Sequence, residues 1–74
     1  MNIIFVMTIS QKIGDNIKKA RKDLKITQAE MAKSLLMTQQ QYSRFENGVF
    51  ELNYEQILKI SKLLKITPNE IFEV

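Results

Sequence analysis

The sequence predicts an all-α fold, a compact bundle of five short helices with a short N-terminal extension, and three observations predict it. Apolar residues recur at helical spacings of three and four from Ile13 to Ile71. The only proline, Pro68, stands where it opens a helix, and no convincing strand pattern follows residue 9. Hydroxyl or amide residues also stand three positions before a Glu or Gln at several points, the signature of a capping box.

The elements follow in order. Helix 1 is expected to start at Ser10 as N-cap and run to about Leu24, with Ile13, Ile17, Ala20 and Leu24 as its apolar stripe. Helix 2, from Gln28 to about Leu35, opens on the Thr27/Glu30 box and turns Met31, Ala32 and Leu35 inward. Helix 3, from Gln39 to about Asn47, opens on Thr38/Gln41, buries Tyr42 and Phe45, and stops at Gly48. Helix 4 opens at Asn53 with Gln56 as capping partner and continues to about Leu64, with Ile57, Ile60, Ser61 and Leu64 inward. Helix 5 begins Thr67-Pro68-Asn69-Glu70, which combines a capping hydroxyl, a proline at the first helical position and a glutamate at the third.

Composition narrows the function. Seventy-four residues make one small domain. Cysteine and histidine are both absent, so the usual thiolate and imidazole groups for metal binding or general-base catalysis are missing. The acidic residues show no paired-carboxylate or metal-ligand spacing, so neither an enzyme nor a metal or cofactor is expected. The net charge of +3 fits a nucleic-acid binder of moderate electrostatic pull. The longest apolar run, Ile3 to Met7, is too short to span a bilayer. It also lacks the basic start and small-residue cleavage site of a signal peptide, so a cytoplasmic location is the expectation and no membrane contact is foreseen.

The two capping boxes at Thr27 and Thr38 leave about two turns for helix 2. That is the spacing of a helix-turn-helix, which places its second helix in the DNA major groove. At 100° per residue, Gln39, Gln40, Ser43, Arg44 and Asn47 fall within an arc of about 140° on helix 3. A glutamine amide offers a donor and an acceptor that match adenine N6 and N7, and an arginine offers two donors that match guanine O6 and N7. An isolated glutamine run would read as a solvated helix face; between these two helix starts it reads as a base-reading face. Gln39, Gln40, Ser43 and Arg44 are therefore the candidate base contacts. Gln28 and Asn47, at helix ends, are the candidate phosphate contacts. Gln41 is assigned to the cap alone.

Arg21 falls on the apolar stripe of helix 1, and Glu46 flanks the core face of helix 3. A charge near a core needs a partner, and the simplest solution pairs the two; otherwise both would reach to water.

From Gln11 to Phe72 the chain resembles the Cro/phage-repressor type of helix-turn-helix domain, the XRE family. The resemblance rests on Ile17, Arg21, Thr27-Gln28, Glu30, Ala32, Thr38-Gln39-Gln40, Phe45-Glu46-Asn47-Gly48 and the Thr67-Pro68-x-Glu70-Ile71-Phe72 ending. It implies DNA contacts at Gln28, Gln39, Gln40, Arg44 and Asn47, and a salt bridge between Arg21 and Glu46. The family usually carries glycine where this chain has Lys25, Leu36 and Lys65, and smaller aliphatics at Tyr42 and Phe45.

The expected domain is residues 10–74, preceded by an extension over residues 1–9. That extension fits three states: disordered, a strand that pairs with a twofold mate, or an apolar arm against the chain's own helices. The expected function is a sequence-specific DNA-binding transcriptional regulator, a repressor, which acts as a homodimer on palindromic double-stranded DNA. The alternatives are the DNA-binding antitoxin of a toxin–antitoxin pair, with a toxin as protein partner, and a protein-interaction module that has lost DNA binding.

Overall fold

The computed structural model describes residues 8–73 and contains five helices: α1 (Ile9–Asp23), α2 (Gln28–Ser34), α3 (Gln39–Glu46), α4 (Tyr54–Leu64) and α5 (Pro68–Ile71). The all-α expectation holds among these residues. The readings placed on Met1–Met7 lie outside them.

Every helix opens on a capping box, Thr8/Gln11, Thr27/Glu30, Thr38/Gln41, Asn53/Gln56 and Thr67/Glu70. Four of these were legible in the sequence. The first corrects the expected start of helix 1. Thr8 Oγ1 accepts from the Gln11 N–H at 3.1 Å and Gln11 Oε1 accepts from the Thr8 N–H at 2.8 Å. Ser10 has Ile13 at the corresponding place and could complete only half a box. The Ser10 hydroxyl instead donates to Glu51 at 3.4 Å. Thr8 and Ile9, assigned to the extension, therefore form the cap and first residue of α1.

Four of the five helix ends also share one closure. Past α1, α2, α3 and α4 the chain enters the left-handed region at Lys25 (φ 59°), Leu36 (φ 57°), Gly48 (φ 78°) and Lys65 (φ 56°). In each case the next N–H reaches back five residues: Ile26 to Arg21, Met37 to Ala32, Val49 to Arg44 and Ile66 to Ser61, at 2.9–3.1 Å. This is the Schellman closure. Ile26, Met37 and Ile66 then pack on the core. Three of the four closures use a residue with a Cβ, which costs about 1 kcal/mol each. Leu36 is 90% exposed, so its side chain gains little in return. Leu36→Gly is accordingly expected to raise the unfolding free energy by about 1 kcal/mol in urea titration. A loss of stability would mean that the Leu36 side chain makes a contact beyond the described residues.

The core consists of Ile17, Met31, Ala32, Leu35, Tyr42, Phe45, Ile57, Ile60, Leu64 and Ile71. The inward residues expected on α2, α3 and α4 are buried, Ser61 among them. On α1 the buried positions are Gly14, Ile17 and Arg21, with Ile13 and Ala20 half-buried beside them. Leu24, expected on the inward stripe, is 43% exposed. It is the C-cap, the last residue before the left-handed turn at Lys25.

α1 packs on α3 and α5, α2 on α3, and α4 on α5. Asn16 ties the last helix down: its Nδ2 donates to the carbonyls of Ile71 at 3.0 Å and Glu73 at 2.8 Å. These carbonyls end α5 and have no partner within so short a helix.

Candidate nucleic-acid interface

α3 divides its eight residues among three tasks. Tyr42 and Phe45 enter the core and lie tilted against one another, with ring centroids 5.9 Å apart. Gln41 completes the cap: Thr38 Oγ1 accepts from its N–H at 3.1 Å, and its Oε1 accepts from the Thr38 N–H at 3.0 Å. Gln39, Gln40 and Arg44 are exposed and Ser43 is half-buried. Asn47, the C-cap, is exposed as well. The polar arc read from the sequence thus stands free on the opposite side of the helix from the core residues.

Glu46, the last residue of α3, is buried and paired with Arg21 of α1. Arg21 Nε donates to Glu46 Oε2 at 2.6 Å and Nη2 donates to Oε1 at 3.1 Å, a two-pronged charge-assisted contact. Arg21 Nη1 donates to the Ile26 carbonyl at 2.7 Å. One guanidinium therefore fixes the end of α3, the body of α1 and the turn that leads into α2. Burial alone would raise the Glu46 carboxyl, but donation from Arg21 and Gln28 outweighs it and holds the group below the usual carboxylate range. The bond to Glu46 in turn raises Arg21 further, so both partners stay charged.

Gln28, at the start of α2, is half-buried, and its Nε2 donates to Glu46 Oε1 at 3.1 Å. The sequence placed Gln28 at the interface but did not find this bond. The amide nitrogen carries two protons, and the bond to Glu46 engages one. The Tyr42 hydroxyl lies beside the same pair, fully buried, in a geometry too poor for a hydrogen bond. Burial and the neighbouring carboxylate push its pKa far up, so it remains a neutral phenol.

Gly14, missed by the sequence reading, lets α1 approach this end of α3. A Cβ at Gly14 would stand 2.5 Å from the Glu46 carbonyl oxygen and 2.7 Å from that of Phe45. Its signal was the helix position itself, since glycine inside a helix costs about 1 kcal/mol and marks a close approach. Gly48 closes the other side: a Cβ there would meet the Gln11 Cα at 2.8 Å.

Among the described residues no group of His, Cys, Asp or Glu could hold a metal ion. No described helix is long and apolar enough to cross a membrane.

A short capped helix with a free polar face, braced by a second helix through a tight turn, defines the helix-turn-helix class. The sequence profile of the family described as Helix-turn-helix matches residues 17–71, and the chain belongs to this family. It is 38% identical over 54 residues to the uncharacterized HTH-type transcriptional regulator YqaE of Bacillus subtilis, covering 73% of this chain and 47% of that protein. It is 33% identical over 64 residues to Repressor protein C2 of Salmonella phage P22, covering 86% of this chain and 30% of that protein. The chain thus spans less than half the length of these curated relatives. Among solved structures, the clp gene regulator ClgR from C. glutamicum superposes with a TM-score of 0.83 at 18% identity, covering 90% of this chain and 86% of that one. The fold also forms part of an enzyme: the hydroxypropylphosphonic acid epoxidase from S. wedmorenis gives a TM-score of 0.78 at 25% identity, covering 85% of this chain and 34% of that one.

Proposed function

We propose that the chain is a sequence-specific DNA-binding transcriptional repressor that acts as a homodimer and reads the major groove with α3. The observation that carries this reading is the exposed polar arc of α3, braced from behind by the Arg21–Glu46–Gln28 network. Gln39 and Gln40, in the first turn, reach base edges, with Ser43 and Arg44 beside them. Asn47 and the second amide proton of Gln28 take phosphate oxygens, which set register and carry no sequence information. The face is rich in amides and has no acidic or apolar residue, which favours DNA over a purely protein-binding role. An antitoxin would share this face and add a protein partner; a toxin gene beside its own would distinguish it.

One short recognition helix reads too few bases for specificity, so two copies are expected on a palindromic operator. Their half-site centres should lie about 34 Å apart. Selection of bound sequences from a random DNA pool at stated salt, followed by footprinting, tests this. A single unrepeated half-site bound by one subunit would overturn the dimer. Failure to enrich any sequence would overturn the function.

The division of labour among the glutamines gives a sharper test. Gln39→Ala should cost about 1–3 kcal/mol on the selected site and relax preference at one base pair. Gln41→Ala should leave preference unchanged and lower stability by about 1 kcal/mol through its cap. A change of base preference with Gln41, and not Gln39, would mean that α3 is rotated in the groove.

A further inference from the structure

Among the described residues, the Tyr42 hydroxyl alone is a buried side-chain polar group without a hydrogen-bond partner. Such groups normally find one, and leaving one unpaired away from water is unfavourable. A phenylalanine would fill the same space without that penalty. Tyr42 is fully buried and stands one turn before Glu46 on α3, a spacing that sets the two side chains side by side. Burial keeps the phenol neutral, so its proton is available to donate.

The network beside it has one movable member. Glu46 accepts from three donors: Arg21 Nε on Oε2 at 2.6 Å, and Arg21 Nη2 and Gln28 Nε2 on Oε1, each at 3.1 Å. Arg21 is buried and is held by the Ile26 carbonyl as well. Gln28 is half-buried, in the first turn of α2. While its amide is tied to Glu46, its second proton can meet a phosphate oxygen from one direction only.

We infer that the Tyr42 hydroxyl is a standby donor to Glu46, which takes the place of Gln28 when that amide turns out to a phosphate. The inference rests on the DNA-binding reading above. The carboxylate end of a glutamate turns about a soft torsion, so Oε1 can follow the hydroxyl once Gln28 leaves. Glu46 then keeps three donors in both states. Without the hydroxyl, departure of Gln28 would leave an anionic oxygen short of a donor in a site closed to water, and the amide would be held back. Tyr42 is thus a positioning residue: it touches no DNA and acts through Glu46 on the reach of Gln28.

The test compares Tyr42→Phe, Gln28→Met and the double variant with the parent, each as the full chain. Tyr42→Phe removes only the hydroxyl, so helix content should hold throughout. In the parent the hydroxyl has no partner, and Tyr42→Phe should raise the melting temperature. In the Gln28→Met background the hydroxyl serves Glu46, and the same change should lower the melting temperature by about 4–8 °C. On the selected operator Tyr42→Phe should weaken binding about tenfold, and in the Gln28→Met background it should change nothing. A spectroscopic readout follows from the composition: the chain has two tyrosines and no tryptophan, so Tyr54→Phe leaves Tyr42 as sole reporter. Its near-ultraviolet band should move to longer wavelength when Gln28→Met is added, as that of a phenol does on donating to a carboxylate. An equal effect of Tyr42→Phe in both backgrounds, with an unmoved band, would overturn the exchange and leave the DNA-binding reading standing. A reversal of sign with no effect on operator affinity would show that the hydroxyl serves folding alone, and would overturn its role in phosphate contact. A chain that enriches no DNA sequence would overturn that reading and this inference together.

Discussion

Replacing Arg21 with Met, or Glu46 with Leu, should each destabilise the fold by about 3–5 kcal/mol, whereas the double replacement should cost far less than the sum. Each single change leaves an unpaired charge among groups that exclude water: the Glu46 and Arg21 side chains are 1% and 8% exposed. The double change removes both charges and fills the space with apolar atoms. A domain of this size has about 4–11 kcal/mol of total stability, so either single variant approaches the unfolding threshold at ordinary temperature. Urea denaturation of the four proteins in the cycle measures the coupling, and additive free energies would show that the pair is not one unit. The carboxyl also sets an acid limit. Its folded pKa lies below its unfolded value of about 4.5. The stability it contributes is therefore complete above that value and is lost as pH falls through the lower, folded one. Glu46→Gln should flatten the fall in stability on that acid limb, although the variant starts from a lower level.

Gly14→Ala should cost about 2 kcal/mol or more, although alanine is the better helix former by about 1 kcal/mol. The added methyl meets two backbone carbonyls at distances below any real contact, and these cannot swing aside as a flexible side chain would. α3 must therefore move away from α1, and that movement strains the Arg21–Glu46 contact as well. Thermal denaturation measures the loss. DNA binding adds a check that stability alone would not give: at a temperature where the variant is folded, affinity for the selected site should still be reduced. A variant more stable than the parent would place the two helices farther apart than the structure has them.

What could be read from the sequence follows from the range of the forces involved. Four of five helix starts were legible because a capping box acts across three residues and needs no knowledge of the rest of the fold. The fifth, Thr8/Gln11, is harder to read because Ser10 offers a competing hydroxyl two residues on. The Arg21–Glu46 pair was legible despite a sequence separation of 25, because a charge on an apolar stripe needs an opposite charge. Lys25, Leu36 and Lys65 stood where the resemblance led one to expect glycine, and all three have positive φ. By contrast, Asn16 bonds carbonyls 55 and 57 residues away. Neutral amides carry no signature of where they reach. The bond of Gln28 to Glu46 is illegible in sequence for the same reason. The close approach at Gly14 depends on the crossing of two helices, which periodicity alone does not fix.

The partition of α3 into free, capping and structural positions bears on how such a chain can acquire a new target. Gln39, Gln40 and Arg44 belong neither to the cap nor to the core, and their side chains make no hydrogen bond within the described residues. Substitutions there are therefore nearly neutral for folding. On the proposed reading, selection can act on them for the DNA site while Thr38, Gln41, Tyr42, Phe45 and Glu46 hold the helix where it is. A lineage could drift from one operator to another through folded intermediates, with no compensating change elsewhere in the domain. Libraries that vary these three positions without proline or glycine should consequently yield folded protein in most clones, and on the proposed reading the clones should differ in the DNA they retain.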